Sequence, residues 1–318
     1  MKRLLQIVSI TLVIAMSMPT PASAADHDEQ KAVLVTGASS GIGLAIAKKL
    51  AANGFYVYAG ARKPADLEML DAIGNISSVR LDVTRHEEID AAVEFVKSQG
   101  RGLYGVVNNA GVAAYLPMND VPEEDIDWVF DVNVYGPYRV NKAFAPMLIE
   151  SGGRTTLIGS ISGYLSGRYS GTYSMSKFAT EAYTDAYAVE MADHSVHVSI
   201  IEPGGYKSRI REKVVQHTLD QMKDAGLEPT DEQKQQFDAM VASNEGLKEP
   251  DEVAEAALHV MTAEKPKRRY MVTPNLEQAT LTISAALGKV AQLNRDQPYE
   301  FSRQQLIEML DEALAAEY

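Results

Sequence analysis

Apolar and polar positions along this chain alternate between two kinds of stretch. Short apolar runs, several rich in β-branched residues, occupy residues 31–36, 55–61, 79–81, 103–108, 155–159, 197–201 and 270–273. Between them lie segments with apolar residues at helical spacing: 44–50, a short one at 64–73, 85–98, a long one at 123–149, one opening near Tyr173, and 252–261. Runs of the first kind predict strands, and those of the second kind amphipathic helices. Their regular alternation predicts right-handed βαβ units and a parallel sheet, hence an α/β class with helices on both faces. The 123–149 helix is predicted to kink at Gly136-Pro137, where proline and glycine interrupt the ladder. Its apolar residues suffice for burial on more than one side, leaving a face for another subunit.

After residue 205 the pattern weakens. Residues 206–250 are long and polar, with few core signals and the run Gln233-Lys234-Gln235-Gln236. Such a segment beyond a strand edge reads as a mobile helical lid, or as an ordinary helical insertion. Two further helical patterns, 276–293 and 301–315, follow the last strand. No repeat or linker divides the chain, so one domain is expected, with its core at about 31–273, a lid at about 206–250 and C-terminal helices at about 275–318.

The first 24 residues stand apart. Lys2-Arg3, an apolar run from Leu4 to Met16, and Ala22-Ser23-Ala24 read as a secretory signal cut before Ala25. Export to a periplasm or the medium is the expectation, with an uncleaved membrane anchor as the alternative. The run is shorter than the ~20 residues a spanning helix needs and contains Gln6, Ser9 and Thr11.

Composition narrows the chemistry. The net charge is −13, two units more negative once Lys2 and Arg3 are lost, which argues against nucleic-acid binding. The one basic cluster, Lys265-Pro266-Lys267-Arg268-Arg269, reads as a solvated connector before a strand. With no cysteine, disulfides, thiol nucleophiles and cysteine-ligated zinc are excluded. None of the six histidines forms a metal-ligand motif; His194 and His197, the closest pair, suit a helix end or strand surface, and no metal is expected.

Candidate chemistry begins where the first strand meets Thr36-Gly37-Ala38-Ser39-Ser40-Gly41-Ile42-Gly43 and then a helix. Strand, glycine-rich turn and helix form a dinucleotide-binding opening, with Gly37 for the turn, Gly41 for close approach to a pyrophosphate and Gly43 for helix-on-strand packing. An ordinary strand-to-helix loop is the competing reading, since the spacing is Gly-x-x-x-Gly-x-Gly. The second strand ends at Arg62 without an acid. An arginine there accommodates a 2′-phosphate and favours NADP(H) over NAD(H), although Ser39 and Ser40 supply no second cation. A solvated cation at a helix start is the alternative. Asp82 suits an adenine amino group and Asn108-Asn109 a sheet brace, with capping or turn formation open for each. Asn133 either bends its helix or holds a water.

A phenol and an ammonium four residues apart, Tyr173 and Lys177, share one helix face. Lys177 is expected to lower the pKa of Tyr173 and make it a proton donor or acceptor near neutrality. Tyr138 and Lys142 repeat the spacing. Ser160 distinguishes the pairs: it ends a strand 13 residues before Tyr173, whereas Asp125, in a helix, stands at that distance from Tyr138. A serine at a strand end and a tyrosine on the next helix meet over the carboxyl edge of the sheet, where ligands of α/β folds bind. Tyr138 and Lys142 are therefore assigned to structure.

Taken in order, Thr36 to Gly43, Asp82, Asn108 to Gly111, Asn133, Ser160, Tyr173, Lys177 and Pro203-Gly204 resemble the short-chain dehydrogenase/reductase family over residues 31–273. The C-terminal extension and short second helix look more weakly like its hydroxysteroid and retinol dehydrogenase branch. The resemblance implies a Rossmann-type doubly wound sheet and an NAD(P)-dependent oxidoreductase that interconverts a carbonyl and an alcohol by hydride transfer. It implies Tyr173 as acid/base, Ser160 on the substrate oxygen, Lys177 on the nicotinamide ribose and Asn133 holding a relay water. Cofactor contacts would come from Gly37, Ser39, Ser40, Gly41, Ile42, Gly43, Arg62, Asp82, Val83, Asn109, Ala110, Gly111, Tyr173, Lys177, Pro203, Gly204 and Ser208, the last standing where the family usually has threonine. Tyr164, Leu165, Tyr169 and Tyr206, with Ser160, are expected to line a pocket for a small hydrophobic carbonyl or alcohol. A homodimer or homotetramer is implied through the long helix and the Tyr173 helix. A non-catalytic dinucleotide-binding sensor or partner protein is the alternative; it would need the glycine-rich turn but not Tyr173.

Overall fold

The computed structural model describes residues 30–316. The expected signal or anchor segment, 1–24, lies outside them. In chain order the elements are β1 (Ala32–Val35), α1 (Gly41–Ala52), β2 (Tyr56–Ala61), α2 (Pro64–Asp71), β3 (Ile76–Arg80), α3 (His86–Ser98) and β4 (Gly105–Asn108). Then come α4 (Glu123–Phe130), a π-helical turn (Asp131–Tyr135), α5 (Gly136–Ser151), β5 (Arg154–Ile158), a 3-10 turn (Ile161–Gly163), α6 (Gly171–Ala192) and β6 (His197–Pro203). The chain closes with α7 (Ile210–Asp224), α8 (Asp231–Ala242), α9 (Asp251–Thr262), β7 (Arg269–Val272), α10 (Leu276–Asn294) and α11 (Arg303–Ala315).

The seven strands form one sheet in the order β3-β2-β1-β4-β5-β6-β7, every neighbouring pair parallel. Successive side chains of β1 point to opposite faces. Ala32 and Leu34 enter a core with Phe144 and Leu148 of α5 and Met191 of α6. Val33 and Val35 enter a second core with Ile46 and Leu50 of α1 and Val253 and Val260 of α9. This is the expected doubly wound α/β domain. Chain order reverses between β1 and β4, so a crevice opens at their carboxyl ends, the usual ligand position in such sheets.

The long-helix expectation needs correction. The irregularity is the π-helical turn at Asp131–Tyr135, which widens the helix just before Gly136-Pro137. Because α5 runs on directly from that turn, Pro137 withholds the N–H that an α-helix would donate to the carbonyl four residues earlier, which suits a break in the α-helical ladder at this point. Gly136 serves packing: a Cβ there would come within 2.7 Å of Val83. Strand β3 also starts earlier than expected, at Ile76, because Ser77 and Ser78 occupy an edge strand that does not require continuous apolar residues.

Residues 206–250 leave the sheet and return to it. A parallel bridge between Tyr206 and Lys248 pins the two ends, reinforced by Lys207–Glu249 at 2.7 Å and by Tyr206 donating to Glu252. Between them Val214 is the sole buried side chain of α7, and α8 buries none. One latch joins α7 to α4. Asp125 accepts from Gln221 at 2.7 Å and bonds His217 Nε2 at 2.8 Å, and the His217 ring stacks on Trp128 at 3.8 Å. At the C-terminal end, Gln278 of α10 accepts from the Gly205 N–H at 2.7 Å. Among the described residues no helix is long and apolar enough to cross a membrane.

Candidate active site

Parallel strands deliver their carboxyl ends to one edge, and β1, β4 and β5 build the centre of this site. From β1 comes the glycine-rich turn. Gly37 has φ +64° and a Cβ there would stand 2.9 Å from Ala110 Cα; at Gly43 a Cβ would overlap Asn109. Both positions therefore demand glycine. From β4 come Asn108 and Asn109. Asn108 donates to Asn141 Oδ1 at 2.9 Å and to Thr155 Oγ1 at 3.3 Å, bracing the sheet. Asn109 donates to the carbonyls of Thr36 and Gly37 at 2.9 and 3.0 Å, while Thr36 Oγ1 accepts the N–H groups of Asn109 and Ala110 at 3.0 Å. The turn is thus locked before any ligand binds.

From β5 comes Ser160. Its hydroxyl accepts from Ser162 N at 3.1 Å and lies near enough to the phenol of Tyr173 to favour its charged form. Helix α6 places Tyr173 and Lys177 on the same cavity wall as Ser160, Gly159 and the glycine-rich turn. Lys177 Nζ donates to the Ile158 carbonyl at 2.8 Å and stands 5.5 Å from the centre of the Tyr173 ring. Asn133 sits in the π-helical turn, fully buried. Its side chain accepts from Val112 N and donates to Val112 O and Ser176 Oγ, each at 2.9 Å, and Ser176 in turn donates to the Tyr173 carbonyl at 2.7 Å. Asn133 therefore ties the segment after β4 to the first turn of α6. The rival pair lies apart: Lys142 donates to Tyr138 at 3.4 Å on the open side of α5.

The expected effect of Lys177 on Tyr173 is reversed by burial. Desolvation pushes the Tyr173 phenol above its ordinary value, Tyr115 adds to this, and the Ser160 hydroxyl opposes it. Lys177 is itself pulled down to about 8 by burial, partly offset by Glu181. An ammonium shut away from water is costly, and so is a phenolate.

A second cavity continues from the first along Ser39, Ala61, Arg62, Asp82, Val83, Ala110 and Gly111. Gly37, Ser40 and Gly111 line both, so the two make one trough from Tyr173 to the end of β2. Its middle is the N-terminus of α1, where Ser40 makes no side-chain cap and the first turn carries no acid. Uncapped helix N–H groups and a locked glycine turn suit a pyrophosphate, and the trough has the extended shape of a dinucleotide. The residues present fit that group. Arg62 bonds Asp82 at 3.3 Å, and Asp82 also accepts from Thr84 N and Oγ1 at 3.0 and 2.8 Å. Pro203, Gly204 and Ser208 border the first cavity with Ile42.

The expected aromatic wall is only partly present. Tyr206 lines the first cavity, but Tyr164, Leu165 and Tyr169 lie off it. Tyr164 faces Glu181, Glu202 and Arg269 on the far side of the 3-10 turn, and Tyr169 is 46% exposed with Arg168 over its ring at 5.0 Å. The turn after Ser160 carries these side chains away from the crevice. Tyr115 takes their place, its ring centre 6.3 Å from that of Tyr173. It comes from an irregular loop without periodicity, so nothing in the sequence pointed to it. Arg209, Arg211 and Lys213 of the 206–250 segment also line the trough, equally without a sequence signal.

The chain is similar to known proteins over most of its length. The short chain dehydrogenase family profile matches residues 31–219. The chain is 35% identical over 246 residues to "Uncharacterized oxidoreductase YbbO" of Escherichia coli (strain K12), covering 77% of this chain and 86% of that one. It is 33% identical over 271 residues to mitochondrial D-beta-hydroxybutyrate dehydrogenase of Rattus norvegicus, covering 79% of each. A short-chain dehydrogenase structure from Streptomyces avermitilis superposes with a TM-score of 0.65 at 25% identity, over 91% of this chain and 99% of that one. With sheet order, locked glycine turn and relatives in agreement, this chain is an oxidoreductase belonging to the short chain dehydrogenase family.

Proposed function

We propose that this protein interconverts a carbonyl and an alcohol at Tyr173, using a nicotinamide dinucleotide with NADP(H) preferred over NAD(H). The observation that carries the reading is the convergence of Ser160, Tyr173 and Lys177 on the cavity wall that the glycine-rich turn also lines. When bound, the nicotinamide supplies or takes up the hydride at carbon. The chain's own groups manage the oxygen and its proton. Ser160 and Tyr173 hydroxyls would hold the substrate oxygen, and in reduction Tyr173 gives its proton as the oxygen gains charge. Lys177, anchored on Ile158, keeps further N–H bonds for the ribose and the phenol. Because the Asn133 amide is spent on Val112 and Ser176, its main-chain carbonyl is the group left for a relay water.

Arg62 at the end of β2 supports the NADP(H) preference. Tyr115, Tyr206 and Ile158 give the first cavity an apolar share suited to a small hydrophobic substrate. Exposed apolar residues on α5 and α6, among them Tyr138, Ile149 and Val189 at 66%, support a homodimer or homotetramer. Light scattering of the purified protein tests that state. Export rests on residues 1–24 alone; fractionation of expressing cells, with N-terminal sequencing, tests it. No observation favours a non-catalytic sensor.

The decisive experiment is initial-rate turnover with NADPH and NADH against ketones, aldehydes and quinones, with Tyr173→Phe as control. Turnover by the parent and its loss in the variant is the expected result. Equal rates in both would remove Tyr173 from the mechanism, and binding of NADPH without any turnover would favour the sensor.

A further inference from the structure

The 206–250 segment lies against the dinucleotide trough. Ser208 sits over the glycine-rich turn, its Cα 3.2 Å from where a Gly41 Cβ would be. Arg209, the next residue, and Lys213, one helical turn beyond it, line the same trough as Arg62, and both border its two halves. Arg62, Arg209 and Lys213 thus meet around one groove, with Arg211 bordering its first half and Lys63 its second. Two of the three that meet have carboxylate partners, Arg62 with Asp82 at 3.3 Å and Arg209 with Glu212 at 2.5 Å. Lys213 has none: among the described residues its sole hydrogen bond is to the Gly111 carbonyl at 3.4 Å. Asp66 and Asp220 line the cavity too, but neither is within ion-pair distance of it.

Crowding by protein lowers the Lys213 pKa, the charges of Arg62 and Arg209 lower it further, and Asp66 and Glu212, neither of them in ion-pair contact with it, offset this only in part. A cation held near two others without an anion of its own is an unfavourable arrangement in the free protein. It becomes favourable when an anion enters between the lid and the turn. The uncapped N-terminus of α1 faces the same space from below, so an anion there meets donors on both sides.

We infer that Lys213 is the lid's ligand for a phosphate group of the dinucleotide, gripping it from the side opposite the glycine-rich turn. This rests on the nicotinamide reading proposed above. It assigns to α7 a binding duty that the polar character of the segment did not reveal, and it makes lid order depend on cofactor. Phosphate in the trough comes from two places, the pyrophosphate common to both cofactors and the 2′-phosphate of NADP(H), where Lys213 would be the second cation beside Arg62.

The test is calorimetric titration of the whole protein with NADPH and NADH, for the parent, Lys213→Met, Lys213→Arg and, as a control on the outer part of the same helix, Lys223→Met. Amide exchange of α7 with and without NADPH is the second readout. Loss of the contact should weaken binding on the order of tenfold. A loss confined to NADPH marks the 2′-phosphate, and an equal loss for both cofactors marks the pyrophosphate; each supports the inference. Lys213→Arg should recover most of the affinity, Lys223→Met should match the parent, and cofactor protection of α7 should fade in Lys213→Met. Parent-like affinities in Lys213→Met would overturn the inference while leaving the nicotinamide reading intact. If the parent binds neither cofactor, both fall together.

Discussion

Lys177 donates to the Ile158 carbonyl at 2.8 Å while its ammonium stands 5.5 Å from the Tyr173 ring. The lysine is thus fixed by the end of β5 rather than by the phenol it accompanies. Its charge is costly because it is buried: the pKa falls from 10.5 to about 8. A lysine with a depressed folded pKa lowers stability at every pH below about 8, and the cost fades as pH climbs from about 8 toward 10.5. Lys177→Met strands the Ile158 carbonyl at every pH, but it should remove this pH dependence, so that relative to the parent it is better off at pH 7 than at pH 10.5 by roughly 1–3 kcal/mol, as read by urea denaturation at both pH values. The same variant should lose activity by about 10²–10⁴-fold. The same stability difference from the parent at both pH values would contradict the burial cost.

Asn133 holds both backbone groups of Val112 and the Ser176 hydroxyl from a fully enclosed position. Removing the amide strands a donor and an acceptor without water. Asn133→Ala should cost roughly 2–4 kcal/mol, measured by denaturant titration, and should slow turnover because the first turn of α6, with Tyr173, loses its tie. Asn133→Asp keeps the acceptor for Val112 N but sets an unpaired carboxylate oxygen against the Val112 carbonyl in an enclosed site, so it should be no more stable than the alanine variant at pH 7.

How much of this was legible beforehand depends on whether a feature is local. The apolar runs that became β1, β2 and β4 to β6 are continuous because both sheet faces are covered, so periodicity found them. Ser160, Tyr173 and Lys177 were legible as a strand-end residue and a helical spacing, and the fold brings these three to one wall. The π-helical turn at Asp131–Tyr135 was not, since no residue type requires it. Nor was the raised pKa of Tyr173, which follows from the sum of everything packed around it. Tyr164 and Tyr169 looked like pocket residues by proximity in sequence, but the turn after Ser160 sets their direction. Tyr115 and Lys213 come from segments whose place is fixed only by the tertiary fold.

Arg62 is more than half exposed and leans on Asp82 at 3.3 Å, so it carries little of the fold's stability. Arg62→Ala should leave the melting temperature close to that of the parent. Its effect should fall on cofactor choice: a lost charge-assisted contact to a 2′-phosphate weakens NADPH on the order of tenfold or more while NADH changes little. Arg62→Asp should go further and favour NADH, since an acid there accepts from a ribose 2′-hydroxyl. The ratio of kcat/KM values for the two cofactors reads this directly, and an unchanged ratio would remove Arg62 from recognition.

Behind the catalytic wall, Glu202 of β6 and Glu181 of α6 are both buried, and each has an Oε1 without a hydrogen-bond partner. Arg269 of β7 reaches Glu181 at 3.1 Å and Glu202 at 3.7 Å while also bonding Asp185 at 2.7 Å. Arg268 and the Tyr164 phenol complete the charged and titratable surroundings. Arg268 reaches only Asp185, so Arg269 alone serves the two buried glutamates and is itself shared with Asp185; burial first, then the Glu181 charge, raise Glu202 from 4.5 to about 8. A carboxyl whose folded pKa is raised contributes its full stability below pH 4.5 and loses it as pH rises through about 8. Thermal unfolding followed from pH 5 to pH 9 should therefore show a melting temperature that declines across that window. Glu202→Gln, which fixes the neutral form, should flatten the decline and raise the melting temperature at pH 9 by a few degrees, as expected for about 1–2 kcal/mol. Glu181→Gln should act in the same direction, because relieving either carboxylate lets Arg269 satisfy the other. An undiminished slope in both variants would place the pH dependence elsewhere in the fold.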